Sequence, residues 1–389
     1  MSINILNFRK STLFILYILG FIFAFTSAIP TYVNSSFLKS LTSEQAIGIF
    51  YAIGSVFSLI SLIFIPKVLK KYGNYKVTLF LTILYFLNFL GLAFIQNIFP
   101  VLFCFMISGA MATAIYFNID VFIEHNSLNE KTGGIRSVYL TCINLAWLLS
   151  PWIAGIIVGE SSYRKIYFVA ALITLPIILI VSSNLKNFKD PEYKVFNILE
   201  TIRSINNKNI KNIIISSFLL QLFFSWMVIY TPIYLNEYLG FSWGTIGIIF
   251  SVMLLPFVLI QIPLGYLADK KIGEKEILTI GFIIMAIFTV IIPLIHDNNI
   301  VLWALVLFMT RIGAAMVEIM NDTYFFKQVS DKNLNVINLY RTVGPLAYII
   351  SPISATIIIF FVPMVNIFYI LGLLMIFGLR YSLAIEDTK

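Results

Sequence analysis

Long apolar stretches, broken by short polar ones, set the rhythm of this chain. Twelve of them are predicted as membrane-crossing helices, at 11–33, 44–66, 76–95, 99–122, 137–159, 166–184, 212–235, 242–268, 276–294, 299–322, 337–361 and 364–384. Each is close to the ~20 residues needed to cross a bilayer's hydrocarbon core. The stretches are continuous and do not alternate, which predicts helices and excludes the strands of a membrane barrel. Thr26-Ser27-Ala28 resembles a signal-cleavage site behind Arg9-Lys10, but the run goes on to Val33, so the first helix is read as retained. The longest polar interval is 185–211. Asp190-Pro191 suits a helix start, and Phe196, Leu199 and Ile202 follow at helical spacing among Lys194, Arg203 and Lys208. That pattern predicts an amphipathic helix lying along the membrane surface. It separates a six-helix half, 1–184, from a second one, 212–389.

Composition sharpens this reading. Of 389 residues, 60% are hydrophobic and 11% charged, against about 25% charged in an ordinary soluble domain. A soluble enzyme, a disordered chain and a disulfide scaffold are excluded. The net charge of +8 would suggest nucleic acid in a soluble protein; here it reports topology. With the N-terminus inside, all but four of the 26 Lys and Arg residues fall in inside segments. Lys39, Arg164 and Lys165 are outside, and Arg311 lies within a span. One miscounted span would invert every later loop and erase this bias, so count and orientation support each other. A multi-pass plasma (inner) membrane protein with both termini cytoplasmic is expected. Cys104 and Cys142 sit inside apolar runs, and His125 and His296 at run ends. No cofactor or metal is expected from that arrangement.

The halves repeat. At an offset of 201, Tyr139, Thr141, Leu145, Ala146 and Ser150-Pro151 fall on Tyr340, Thr342, Leu346, Ala347 and Ser351-Pro352. Span five thus matches span eleven. An even number of spans per half gives both halves the same orientation, as in transporters built from parallel repeats.

Between spans eight and nine stands Gly265-Tyr-Leu-Ala-Asp269-Lys270-Lys271-Ile-Gly273-Glu-Lys275. It resembles the G-x-x-x-D-R/K-x-G-R/K loop of the major facilitator superfamily, with one extra residue before the second Gly. The related first-half loop keeps its basic residues and Gly73, but Pro66 replaces the Gly and Lys70 the Asp. Span four lacks the family's usual Arg. Ser150-Pro-Trp-Ile-Ala154-Gly155 weakly resembles the family's antiporter motif, with Ser and Ala in place of two glycines. The resemblance implies an all-α integral membrane protein of twelve transmembrane helices in two pseudo-symmetric six-helix bundles. It also implies a cavity lined by spans one, four, seven and ten, opened alternately to each side.

Charge inside a membrane is costly and points to function. Span ten carries a series, Arg311, Glu318 and Asp322, at separations near whole numbers of helical turns, hence on one stripe. Glu318, ~10 Å from Arg311 along the axis, is the candidate proton carrier, since removal from water favours the neutral carboxylic acid. Arg311 is a candidate for an anionic substrate group or for neutralising Glu318. Thr26, Thr113, Tyr116, Gln221, Trp226, Tyr230 and Gln261 are the candidate cavity wall. So few polar groups among aromatics suit an amphipathic or aromatic substrate. Gly265, Asp269 and Lys270, an Asp322–Arg341 pair, and Asp120 and Glu124 with Arg136 form the expected cytoplasmic gate.

The expected function is secondary transport by alternating access, with proton-coupled antiport exporting a small organic compound. Proton symport or facilitated uptake of a sugar, amino acid or similar metabolite is the alternative; a non-transporting membrane sensor or scaffold is the alternative of another class. An enzyme is not expected, for no H-E-x-x-H or G-x-S-x-G occurs. The expected partners are a small-molecule substrate, a proton and the lipid bilayer, without nucleic acid, and the chain is expected to act as a monomer.

Overall fold

Apolar runs with no water to satisfy their amides close their hydrogen bonds internally, and they do so as helices. The computed structural model describes residues 2–126, 132–159, 162–193, 207–260, 263–264, 273–329 and 334–386. Of these, the side chains of 2–11, 132–134, 136, 137, 334, 335, 337 and 338 are not described. The first-half helices are α1 (Ser2–Ala28), α2 (Asn34–Leu41), α3 (Glu44–Tyr72), α4 (Asn74–Phe94), α5 (Ile98–Asn126), α6 (Thr132–Val158) and α7 (Arg164–Asn184). Then come α8 (Lys208–Ile233), α9 (Trp243–Leu254), α10 (Pro256–Leu259), α11 (Glu274–Ile291), α12 (Ile300–Gln328), α13 (Leu334–Phe361) and α14 (Ile367–Leu383). Among the described residues ten helices are long and apolar enough to cross a membrane, and two apolar helical segments, Thr12–Ala28 and the α9–α10 stretch Trp243–Leu259, are shorter.

Three departures from the apolar pattern have local causes. The first stretch ends at Ala28 because Pro30 starts a run of turns, and α2 follows as a separate short helix. The Tyr167 hydroxyl of α7 donates to Asn34 Oδ1 at 2.8 Å, and Phe37 packs against the Tyr167 ring at 4.8 Å. The eighth stretch breaks at Leu255, since Pro256 has no N–H to give and opens α10 instead. Beyond α8 the chain takes one π-helical turn, Tyr234–Tyr238. The amphipathic helix expected beyond 193 lies outside the described residues.

Two compact units result, one of Met1–Leu41 and Ile53–Val195, the other of Thr42–Ala52 and Phe196–Lys389. Inside the first, α4 packs with α7 and α5, and α1 with α5, α6 and α7. Inside the second, α11 packs with α14 and α12, and α8 with α12, α13 and α14. The two units pair their helices in the same pattern. The repeat extends to the backbone. α4 and α11 both begin behind a glycine with positive φ, Gly73 (φ 83, ψ 148) and Gly273 (φ 98, ψ 163). That region is open essentially to glycine alone.

Small residues set the closest approaches. A Cβ at Gly313 of α12 would fall 2.6 Å from the Gly281 carbonyl oxygen of α11, and one at Gly281 would fall 2.9 Å from that of Gly313. The two backbones touch, as small residues allow inside membranes. In the first unit α3 meets α5 through Gly109, whose Cβ would lie 3.0 Å from Ser58 Oγ, and through the Ser61 hydroxyl, which donates to the Ala110 carbonyl at 3.1 Å.

Candidate functional site

The charged stripe of α12 is in place. Arg311 is 1% exposed despite its charge. Its guanidinium carbon lies 5.3 Å from the ring centres of both Phe223 and Phe224 on α8. A planar, weakly hydrated cation suits such aromatic faces. The glycine contact with α11 fixes α12 at the level of Arg311, two residues from Gly313. Seven residues on, Glu318 is half-buried. Four further, Asp322 is exposed, and its Oδ1 accepts a hydrogen bond from the Tyr340 hydroxyl at 2.7 Å. Tyr340 stacks on Phe325, ring centres 4.1 Å apart, which holds its hydroxyl at Asp322. Arg341, next to it on α13, is exposed. A second tie joins α8 to α12, the buried Ser216 hydroxyl donating to Asn321 Oδ1 at 2.7 Å.

The expected wall residues of this unit divide by what their polar atoms do. The Trp226 indole N–H donates to the Ser351 carbonyl of α13 at 2.7 Å and is 1% exposed, so it binds helix to helix. Tyr230 is fully buried with its hydroxyl toward Thr356 of α13. Gln221 is half-buried, its Oε1 facing Gly344. Gln261, Gly265, Asp269 and Lys270 lie outside the described residues.

The first unit has its own polar cluster. The Tyr116 hydroxyl of α5 shares a 2.8 Å hydrogen bond with the Ser27 hydroxyl of α1. Phe23 packs edge-on to the Tyr116 ring at 4.7 Å. Thr26, next to Ser27, is fully buried and donates to the Ile22 carbonyl of its own helix at 2.9 Å. Thr113 is half-buried on α5; Asp120 is half-buried and Glu124 exposed at the far end of the same helix. The side chain of Arg136 is not described.

Sequence reasoning had Asp322 facing Arg341 and did not foresee the Tyr340 hydroxyl, although Tyr340 was visible as the repeat partner of Tyr139. It also passed over Phe223, Phe224 and Ser27. Each of these is an ordinary apolar-helix residue until a neighbouring helix supplies its partner.

The sequence matches the model of the Major Facilitator Superfamily in two overlapping stretches, residues 13–243 and 213–387. No curated protein sequence matches it. Among solved structures, the crystal structure of a mutant of the nucleoside transporter NupG is similar, with a TM-score of 0.76 at 14% identity. That likeness covers 97% of this chain and 98% of the other, and it is a likeness of fold.

Proposed function

This chain belongs to the major facilitator superfamily, and on that footing we propose that it exports a small amphipathic or aromatic compound by proton-coupled antiport. It is a multi-pass membrane transporter, not an enzyme. In the proposed arrangement two pseudo-symmetric halves of six spans, 1–184 and 212–389, are joined by 185–211, with both termini in the cytoplasm and the protein in the plasma membrane. Alternating access is the working cycle.

The observation that carries the proposal is the make-up of α12. A buried Arg311 held against two phenyl faces shares one helix stripe with a half-buried Glu318 two turns away. In this reading Glu318 carries the proton. Arg311 orients a negatively polarised group of the substrate, and the partly exposed Phe224 ring offers it apolar contact. Thr113, Tyr116 and Gln221 supply hydrogen bonds to the substrate; Thr26 and Trp226 shape the wall from positions already committed to their neighbours, and Tyr230 shapes it from full burial. Gly265, Asp269, Lys270, Asp120, Glu124, Arg136, Asp322 and Arg341 form the gate, with the Tyr340 hydroxyl holding Asp322 in line.

Purified protein in liposomes tests this. Glu318→Gln is expected to abolish transport driven by a pH gradient while leaving counterflow exchange within about twofold of the parent. Unchanged gradient-driven transport would remove Glu318 from the role. Likeness of fold to a nucleoside transporter supports a second reading, uptake of a nucleoside-like metabolite. Saturable nucleoside entry by this protein would favour it over export.

A further inference from the structure

On the first unit, α3 and α4 do not close against each other. A groove of about 500 Å³ lies between them, with Ser61, Phe64 and Tyr72 on one side, Lys76 and Phe80 on the other, and Ala114 of α5 at its floor. Phe64, Tyr72 and Phe80 are 52%, 55% and 61% exposed, so the groove opens outward from the helices. From Ser61 to Tyr72 it runs ~16 Å along α3, about half of a ~30 Å hydrocarbon core and hence one leaflet.

Its two ends differ. The Ser61 end is apolar. The Tyr72 end carries Lys76 in the lining, Lys71 with its ammonium 5.0 Å from the Tyr72 ring, and, one turn earlier, Lys67 5.3 Å from the Phe64 ring. The carboxylate of Asp190, at this same end, is already committed: its Oδ1 accepts from the Asn74 N–H at 2.7 Å and from the Tyr193 hydroxyl at 2.6 Å. The wall is firm, because Tyr193 also packs on the buried cluster of Ile65, Leu69, Val77 and Ala114.

The groove is mostly apolar along its length and basic at one end, which is the layout of a lipid, a chain for the groove and a charged headgroup for the lysines. We propose that this groove is a binding site for an anionic phospholipid, one acyl chain lying between α3 and α4 and the phosphate-bearing headgroup held by Lys76 and Lys71. Basic pockets between spans favour such headgroups. The site is independent of what the protein carries.

Native mass spectrometry of the full-length protein, equilibrated with equimolar phosphatidylglycerol and phosphatidylcholine of identical chains, tests it. The parent is expected to retain phosphatidylglycerol preferentially. Lys71→Gln with Lys76→Gln should keep a bound lipid but lose the preference, by roughly fivefold per lysine. Val68→Trp, on the exposed rim of α3, should fill the groove and lose the retained lipid of either headgroup while melting as the parent does. Equal retention of the two lipids by the parent would overturn the proposal. So would a preference that survives the lysine changes, or a lipid that survives Val68→Trp. Displacement of the lipid by glycerol 3-phosphate would also overturn it, marking a plain anion site with no use for the chain.

Discussion

The starts of α4 and α11 occupy the same place in the two halves and solve the same problem with different chemistry. Both helices follow a positive-φ glycine, and in both the first helical residue reaches across to the helix packed alongside. In the first half that residue is Asn74, fully buried; its Nδ2 donates to the Asn118 carbonyl of α5 at 3.0 Å, and its Oδ1 accepts from the Thr78 hydroxyl at 3.0 Å. In the second it is Glu274, 1% exposed, paired at 2.6 Å with Lys327 in the last turn of α12. The first half takes its carboxylate from elsewhere: Asp190, beyond α7, caps the N-terminus of α4. A negative charge at that end suits the helix dipole. One geometry is thus held by neutral hydrogen bonds plus a borrowed acid, the other by an acid of its own and a lysine. The lesson is that a repeat preserves where a brace stands more strictly than what it is made of.

The contrast can be broken from its stronger side first. Lys327→Ala leaves Glu274 buried and without that lysine, and is expected to cost about 2–3 kcal/mol, the low side for a broken buried pair because the lysine is partly open. Thermal melts of the purified protein should show it as the largest loss. Asn74→Ala removes two hydrogen bonds inside the first unit and should cost about 1–2 kcal/mol, insensitive to salt. Asp190→Asn keeps a side-chain oxygen acceptor but loses the charge, for about 0.5–1 kcal/mol, fading as salt is added. If Asn74→Ala exceeded Lys327→Ala, the ranking of neutral and ionic brace would be reversed. The smallest effect concerns pH. Partial burial and the neighbouring Asp190 carboxylate hold the Tyr193 phenol above its ordinary range. Its contribution is therefore complete below the ~10 of a free phenol and is lost as pH rises beyond that. Tyr193→Phe should differ from the parent at neutral pH and converge with it in strong alkali.

Much of the architecture was legible because a bilayer imposes one rule everywhere. Runs such as 76–95 and 299–322 became α4 and α12 within a few residues of their predicted starts. What escaped notice was whatever apolarity does not encode. α2 is short and mixed in character, so no apolar run announced it. Pro256 interrupted a stretch that hydropathy reads as unbroken. In the candidate site, the α12 stripe could be read from spacing alone, since residues seven and eleven apart share a helix face. The phenyl rings over Arg311 and the hydroxyl on Asp322 could not, because they arrive from α8 and α13, and nothing local to α12 names them. The loop that carries the family resemblance, at 265–272, lies outside the described residues.

The two glycines that open α4 and α11 bear on how this gene can drift. Their backbone angles strain any side chain, whatever space surrounds them. In a library carrying all single substitutions, these two codons should stand as narrow troughs of intolerance, one per half, even beside positions that accept almost anything.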